Sequence, residues 1–219
     1  MSEGGSGLAG GGTRRRVALT FDAEHNDRPT EPGTTELLLE ALAAASVRAT
    51  FFIQGRWAEA YPTTARSIAS AGHLVGNHSH YHARMPLLTD AGLAEDIDDA
   101  GTAIRGATGV DPSPWFRCPF DAGTDDARVL AAIRHAGYRN VGWHVSGEDW
   151  EPDRDGPAIE RDVVAGVEAH GDGAVVLLHA WPRGTLAAVP GIIDRLRADG
   201  ATFVRLDELD EVPAGPAWA

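Results

Sequence analysis

The sequence predicts an α/β protein, a distorted parallel (β/α) barrel of about seven strands, and two observations predict it. From Val17 onward, short apolar runs rich in β-branched residues alternate with longer segments of helical periodicity. That alternation is typical of parallel strands joined by crossover helices. Seven such units follow one another, one fewer than a complete eight-stranded barrel contains. We therefore expect the barrel to be incomplete or distorted.

The predicted elements are short strands separated by amphipathic helices. Strands are predicted at 17–21, 49–53, 73–76, 115–116, 138–143, 174–178 and 202–204. Helices are predicted at 34–45, 58–71, 90–107, 126–136, 157–169 and 189–198. In the first helix, Leu37, Leu38 and Leu42 recur at the spacing that buries one face. In the third helix, the cluster of acids around Asp96 is interpreted as a solvated outer face.

The composition is that of one ordinary globular domain. Of the 219 residues, 43% are hydrophobic and 23% are charged, which is enough apolar material for one sizeable core. The formal net charge of -13 argues against nucleic acid or an anionic membrane surface as a partner, because both bind clustered Lys and Arg. A single cysteine, Cys118, rules out an internal disulfide framework. No protein partner is implied.

Three segments are predicted along the chain: a Gly-rich leader at 1–15, a folded domain at 16–212 and a tail at 213–219. The leader lacks the apolar core of a signal peptide, so the chain as written is predicted to be cytoplasmic. A secreted protein remains an alternative if an upstream signal has been removed. No apolar stretch is long enough to span a bilayer.

A histidine-rich stretch follows the third predicted strand. His78 and His82 stand four residues apart, with Ser79 directly after the first. Two imidazoles at this spacing can bind one metal ion of the zinc type. Without a third ligand, the same pattern also fits an ordinary surface loop, and both interpretations stay open on the pair alone.

Polar residues lie at or just beyond the carboxyl ends of different predicted strands. They are Asp22, His78, Arg117, Asp149 and His179. In a β/α barrel these ends converge on one face, which is the face that carries the chemistry. The set supplies carboxylates, imidazoles and a guanidinium, which together fit metal-assisted hydrolysis.

These residues fall in five motifs, and through them the chain resembles the polysaccharide deacetylases with a NodB homology domain, carbohydrate esterase family four. The motifs, in the order of the family, are Thr20-Phe21-Asp22-Ala23, His78-Ser79-His80-Tyr81-His82, Arg117-Cys118-Pro119-Phe120, Asp149-Trp150 and Leu177-Leu178-His179. The resemblance covers about Val17 to Leu209. It implies a NodB-type distorted barrel and makes the domain at 16–212 a deacetylase catalytic domain.

The resemblance also implies catalytic roles. Asp22 would be the general base that activates water, and His179 would be the acid that protonates the leaving amine. Arg117 would orient Asp22, and Asp149 would orient His179.

Metal and substrate contacts are implied in the same way. His78 and His82 would bind a divalent metal ion, zinc or else cobalt or another transition metal. Trp150 and Leu177 would wall the acyl pocket, although Trp150 is equally interpretable as a core aromatic. The backbone N–H of Phe120 would be a candidate oxyanion donor.

The first motif departs from the family pattern at one position. The family has a second Asp after Asp22, normally the third metal ligand, and this chain has Ala23. Glu24 is therefore predicted to be the third ligand, with His25 or Asp27 as the fallback. The alternative is an inactive homologue with a weak or absent metal.

Three functions follow as expectations. The first is metal-dependent removal of N-acetyl groups from amino sugars of an oligo- or polysaccharide. The second is deacylation or deformylation of a small metabolite or a glycosylated natural product. The third is an inactive carbohydrate-binding homologue. Trp57, Trp143 and Trp181 are interpreted as core aromatics rather than sugar platforms.

Overall fold

The computed structural model describes residues 15–25 and 32–215, and within them the predicted parallel β/α barrel is confirmed. Every strand pairing in these residues is parallel. The strands are β1 Arg15–Ala23, β2 Thr50–Ile53, β3 Leu74–Asn77, β4 Trp115–Phe116, β5 Arg139–Asn140, β6 Val145–Ser146, β7 Ala174–His179 and β8 Ala201–Phe203.

The barrel is open between β5 and β6 in the part of the chain described. The strand order is β5-β4-β3-β2-β1-β7-β6, with β8 paired to the start of β1. β5 and β6 are close in sequence but lie at opposite edges of the sheet, so residues 141–144 cross between the edges. The N–H of Gly142 donates to the carbonyl of Pro213 at 2.8 Å, which ties the start of the predicted tail to this crossing.

The strand predicted at 138–143 is wrong in extent. Only Arg139–Asn140 pairs with β4, and Val145–Ser146, where no strand was predicted, forms a separate strand on β7. The prediction carried β5 too far because apolar residues continue beyond Asn140. These residues, Val141 and Trp143, are buried inside the barrel without being part of either strand.

Seven helices cover the outer side of the sheet in the described residues. They are α1 Thr34–Ala44, α2 Gly55–Ala60, α3 Pro62–Ser70, α4 Asp90–Thr108, α5 Ala127–His135, α6 Gly156–His170 and α7 Arg183–Ala198. None of the described helices is long and apolar enough to cross a membrane.

Two helix predictions need correction. The helix predicted at 58–71 is two helices, because a residue before proline is disfavoured in the helical region, and Tyr61 before Pro62 has φ -126° and ψ 55°. The last helix begins at Arg183 rather than near residue 189, and Pro190 lies inside it. Burial of its inner face from Thr185 to Leu196 offsets the cost of the internal proline, about 3 kcal/mol.

Side chains of β1 alternate between two hydrophobic layers, and this alternation positions the site. Leu19, Phe21 and Ala23 pack outward in the core beneath the helices. Ala18 packs inward with the barrel-interior cluster. Successive strand residues point to opposite faces, so Asp22 lies on the inward face at the carboxyl end.

Candidate active site

One cavity of about 780 Å³ opens at the carboxyl edge of the sheet. Its walls include all the polar side chains predicted to act in catalysis or metal binding except Arg117 and Asp149, namely Asp22, Glu24, His78, His82 and His179. Arg117 and Asp149 are almost fully buried and contact Asp22 and His179 from behind. Asp149 follows β6, a strand that the sequence did not predict, rather than the strand expected before it.

Glu24 reaches the two motif histidines. Its Oε2 lies 3.2 Å from His78 Nε2 and also contacts His82 Nε2 directly. One ligand atom from each of these three residues falls within 4.8 Å of the other two. Burial acts to raise the pKa of Glu24, but hydrogen bonds from both histidines and the nearby charge of His179 hold this pKa well below its usual value.

The period of the strand explains why Glu24 takes this position. β1 extends through Ala23, so residues 22 and 24 share the inward face while the methyl group of Ala23 is fully buried in the outer core. A carboxylate at position 24 therefore enters the cavity beside Asp22. The longer Glu side chain spans the remaining distance to the histidines.

The donor set fits a divalent metal of the zinc type. His78 Nδ1 lies 2.9 Å from the carbonyl of Arg117, so an N–H at Nδ1 donates to this carbonyl, and Nε2, which faces Glu24, is the ring nitrogen that could bind a metal ion. Two imidazoles and one carboxylate form a known catalytic zinc ligand set, and the adjoining cavity leaves room for further ligands. Burial lowers the pKa of His78, but the charges of Asp22 and Glu24 outweigh it and raise the net value.

The histidine loop is shaped by its own polar side chains. Asn77 Oδ1 accepts from the N–H of Ser79 at 2.8 Å, and Ser79 Oγ accepts from the N–H of His82 at 3.0 Å. Ser79 and His82 have φ angles of 61° and 57°, in the left-handed region. The small hydroxyl residue between the two histidines therefore closes the turn that brings His82 back beside His78.

Asp96 also supports this loop, which corrects its interpretation as part of a solvated face. Its side chain is buried, and its two oxygens accept from the N–H groups of His80 at 3.2 Å and Tyr81 at 2.9 Å. Without Asp96, these two backbone donors would lack their partners. No local pattern separates Asp96 from the exposed acids beside it, because all belong to the same helical run.

Asp22 is held by Arg117. Arg117 Nη1 donates to Asp22 Oδ1 at 2.8 Å, and the other oxygen of Asp22 lies 3.5 Å from His78 Nε2. The guanidinium also donates to the carbonyls of Val141 and Gly142, and it stacks 4.1 Å from the ring centre of Phe52. This set of contacts fixes the guanidinium and leaves one carboxylate oxygen of Asp22 on the cavity side.

His179 is held by Asp149 in a second buried pair. Asp149 accepts from His179 twice, at Nδ1 (2.8 Å) and at the backbone N–H (2.7 Å), and Thr185 Oγ1 donates to it as a third partner. Burial lowers the pKa of His179, but the charge and hydrogen bond of Asp149 and the charges of Glu24 and Asp22 raise it to about 9. His179 Nε2 faces the cluster, 3.9 Å from Glu24 Oε1.

Aromatic and apolar side chains line the remaining walls. Phe120, Trp150 and Leu177, which the resemblance assigned to substrate contact, all border the cavity. Trp150 packs edge-on to His179 at 5.5 Å, and the Phe120 ring lies 4.4 Å from that of His82. Trp143 and Trp181, interpreted from sequence as core, also line the cavity.

The fallback ligands are placed differently from Glu24. The backbone N–H and Nδ1 of His25 both contact Oε1 of Gln54, at 2.9 and 3.1 Å. Asp27 lies outside the described residues. Cys118 is buried at the cavity wall, where burial raises the pKa of its thiol to about 12, so it packs rather than reacts.

Sequence reasoning missed two contacts of the site besides Asp96. Thr185 supports Asp149 from α7, and no sequence signal pointed to it because that part of the helix was not predicted. Trp181 Nε1 donates to Glu24 Oε1 at 3.4 Å. Its position two residues after His179 was a usable signal, since alternate residues at a strand end tend to share a face.

A parallel β/α barrel that gathers carboxylates, imidazoles and a guanidinium at its carboxyl edge has the architecture of a barrel enzyme with its active site at that edge. Comparisons with a family model, with known proteins and with solved structures identify the family within this class. Residues 9–141 match the family model described as polysaccharide deacetylase. The peptidoglycan-N-acetylmuramic acid deacetylase PdaA of Bacillus subtilis is 29% identical over 201 residues, covering 91% of this chain and 73% of PdaA.

Solved structures agree with the sequence matches. A family 4 carbohydrate esterase from Streptomyces lividans in complex with acetate has a TM-score of 0.78 and 33% identity, covering 92% of this chain and 98% of that one. Wild-type BA3943 of Bacillus anthracis, a CE4 family pseudoenzyme, has a TM-score of 0.79 and 26% identity, covering 90% and 65%. The chain belongs to the polysaccharide deacetylase family.

Proposed function

We propose that the domain at 16–212 is a metal-dependent hydrolase that removes N-acetyl groups from amino sugars of an oligo- or polysaccharide. One observation carries the proposal: three groups of side chains meet at a single cavity. They are the Asp22–Arg117 pair, the His179–Asp149 pair and the cluster of Glu24, His78 and His82. Asp22 Oδ2 lies 3.5 Å from His78 Nε2, and His179 Nε2 lies 3.9 Å from Glu24 Oε1. Membership of the family and the activity in the name of PdaA support the same reaction.

The side chains, more than the fold, support activity, because one matched structure with this fold is a pseudoenzyme. His78, His82 and Glu24 would hold a divalent ion, zinc or a similar transition metal. Such an ion, when bound, polarises the acetyl carbonyl and makes water a stronger nucleophile at neutral pH. Donor type, tautomer and burial at these three residues all suit that ion.

Asp22 is the base in this proposal. It accepts the proton lost by the water whose oxygen bonds to the carbonyl carbon. Arg117 occupies Oδ1 of Asp22 and so reserves Oδ2 for that proton. The fixed guanidinium also prevents the carboxylate from turning away from the cavity.

His179 is the acid. As the carbon–nitrogen bond breaks, its Nε2 gives a proton to the amine nitrogen, and the products are acetate and a free amino sugar. Asp149 holds Nδ1 and the backbone of His179, so the ring presents Nε2 to the cavity. Leu177 and Trp150 wall the space for the acetyl group, and Phe120 contributes its backbone N–H as an oxyanion donor.

Acetate release from N-acetylated chitooligosaccharides tests the reaction. We expect zinc-loaded protein to release acetate, chelator to abolish the release, and added zinc to restore it. Acetate or formate from small N-acyl compounds alone would favour the small-metabolite alternative. Saccharide binding without bound metal or turnover would favour the inactive carbohydrate-binding homologue.

Glu24→Ala tests the third ligand. Loss of even a supporting hydrogen bond to a ligand costs about 10- to 100-fold in metal affinity, so we expect loss of a ligand to weaken zinc binding by at least about 100-fold. Competition with a chromogenic chelator measures this affinity without relying on turnover. The matched control is Glu59→Ala, an exposed glutamate 4.0 Å from His80 Nε2 in the same motif.

Two outcomes would contradict the assignment of Glu24. Unchanged zinc affinity in Glu24→Ala would remove it as a ligand. A larger loss of zinc affinity in His25→Ala than in Glu24→Ala would transfer the role to the fallback residue.

A further inference from the structure

A second cavity, of about 370 Å³, adjoins the first. Glu24 and Trp181 line both cavities, so these two side chains form a shared wall. The other walls of the second cavity come from the end of β1 and from α1, α2 and α3. They are His25, Pro32, Gly33, Thr34, Thr35, Glu36, Trp57, Tyr61 and Thr64. None of the roles proposed above uses this cavity.

The walls of this cavity offer an aromatic face. The side chain of Tyr61 is half exposed, and its ring lies 5.5 Å from that of Trp57 and 5.8 Å from that of His25. Aromatic rings combine an apolar body with polar edges. A pyranose ring is complementary to such an aromatic surface, since it has a face of C–H groups and a rim of hydroxyls.

Polar groups stand beside the aromatic face. Thr64 Oγ1 donates to Glu36 Oε1 at 2.5 Å, which fixes the carboxylate of Glu36 at the cavity. Glu24 contributes a second carboxylate on the shared wall. No Lys or Arg is among the described residues that line this cavity. The hydroxyl and carboxylate oxygens at this wall suit hydroxyl or amide groups, and the fixed carboxylate of Glu36 disfavours a carboxylate ligand.

We propose that the second cavity is a sugar subsite that binds an uncharged pyranose unit next to the one that loses its acetyl group. The inference rests on the proposed function and sharpens it. The substrate is then an oligosaccharide rather than a small metabolite. A carboxylate-bearing unit at the neighbouring position is disfavoured by Glu36.

Tyr61→Ala tests the aromatic face through the length of the substrate. We expect its KM for the N-acetylglucosamine trimer to rise about five- to tenfold, the size of one aromatic contact, with the N-acetylglucosamine monomer unaffected. Tyr61→Phe keeps the ring and should behave as wild type. Val110→Ala truncates an exposed apolar side chain just after α4 that lines neither cavity, and should not change KM.

Glu36→Gln tests the charge selection. Wild type should discriminate against a tetrasaccharide of alternating N-acetylglucosamine and glucuronic acid relative to a neutral chitotetraose. Glu36→Gln keeps an acceptor for Thr64 and should reduce this discrimination about threefold or more. Glu40→Gln, an exposed glutamate one helical turn further along α1, is the matched control and should leave it unchanged.

Calorimetric binding of the same saccharides separates this proposal from the proposed function. If no saccharide releases acetate, the proposed function fails. The subsite still stands if the trimer binds wild type more tightly than Tyr61→Ala. Equal KM and equal binding of the trimer in wild type and Tyr61→Ala would overturn the subsite, whatever the turnover.

Discussion

The two ends of β1 each lie beside an arginine–aspartate ion pair, and the two pairs have nearly the same length. At the amino end, Arg16 Nη2 and Asp172 Oδ2 are 2.7 Å apart, and the side chains are 31% and 43% exposed. At the carboxyl end, Arg117 Nη1 and Asp22 Oδ1 are 2.8 Å apart, and the side chains are 1% and 5% exposed. Burial, not distance, distinguishes them.

This difference in burial changes what each pair can do. An exposed pair is screened by water and salt and contributes little to stability. In the buried pair, each charge depends on the other, because removal of one partner leaves an uncompensated charge inside the protein. The carboxyl edge therefore holds Asp22 at the cavity through a buried pair, in which neither partner can be removed without cost. At the amino edge of the same strand, the Arg16–Asp172 pair is exposed to solvent, so either charge can be hydrated without the other.

Arg117→Met should produce the largest effect. We expect it to lower the free energy of unfolding by about 3–5 kcal/mol, because Asp22 then loses its buried partner. The carbonyls of Val141 and Gly142 lose a donor as well. Urea denaturation at neutral pH measures the change, and acetate release should be abolished.

The matched control acts on the exposed pair. Asp172→Asn removes one of the two ion-pair partners of Arg16 and leaves Asp210, and we expect no resolvable change in its urea midpoint at physiological salt. Equal midpoints for Arg117→Met and Asp172→Asn would show that burial does not separate the two pairs.

His73 sharpens the comparison, because it is a titratable group buried at the amino edge and kept neutral. Its Nδ1 accepts from the N–H of Ala49 at 3.0 Å, and its ring meets the edge of Phe51. Burial, with the charges of Arg205 and Arg48, lowers the pKa of His73 to about 4. The buried titratable group at the amino edge, His73, is thus kept neutral, whereas Asp22 at the carboxyl edge is paired with a buried arginine.

This lowered pKa makes stability depend on pH. Below about pH 6.5 the unfolded chain protonates His73 while the folded protein does not, so its contribution is complete above pH 6.5 and is lost as the pH falls towards 4. We expect a loss of roughly 2 kcal/mol across this window, from the size of the shift. His73→Gln keeps an acceptor for Ala49 and should remove this part of the pH dependence.

Urea denaturation at pH 7 and pH 4.5 measures the effect as a difference between variants. His135→Gln, which replaces an exposed histidine at the end of α5, is the control and should retain the wild-type slope. A wild-type slope in His73→Gln would show that His73 does not carry the effect.

Much of the carboxyl edge could be predicted from sequence, for a geometric reason. Parallel strands end on the same side, so polar residues that close successive apolar runs, such as Asp22, His78 and His179, must converge. Two-residue periodicity at the end of β1 likewise accounts for Glu24 beside Asp22. The break between α2 and α3 at Pro62 could also have been predicted, since proline restricts the conformation of the residue before it.

The supporting contacts could not be predicted, because they join segments that are distant in sequence. Asp96 reaches the histidine loop from α4, and Thr185 reaches Asp149 from α7. β6 exists only through its pairing with β7. In each case the local sequence fits another environment equally well, and the tertiary partner decides.

Thr185→Val tests the weakest of these supports, and we expect the smallest effect. Asp149 would keep both of its contacts with His179 and lose only the hydroxyl donor. We expect kcat to fall about tenfold, or ~1.4 kcal/mol, with KM and zinc affinity unchanged, since the hydroxyl positions the acid and touches neither substrate nor metal. Thr185→Ser restores the hydroxyl and should restore kcat. If Thr185→Ser is as slow as Thr185→Val, packing at α7 rather than the hydrogen bond supports Asp149. The His179–Asp149 pair would then depend on side-chain packing, whereas the Asp22–Arg117 pair depends on charge.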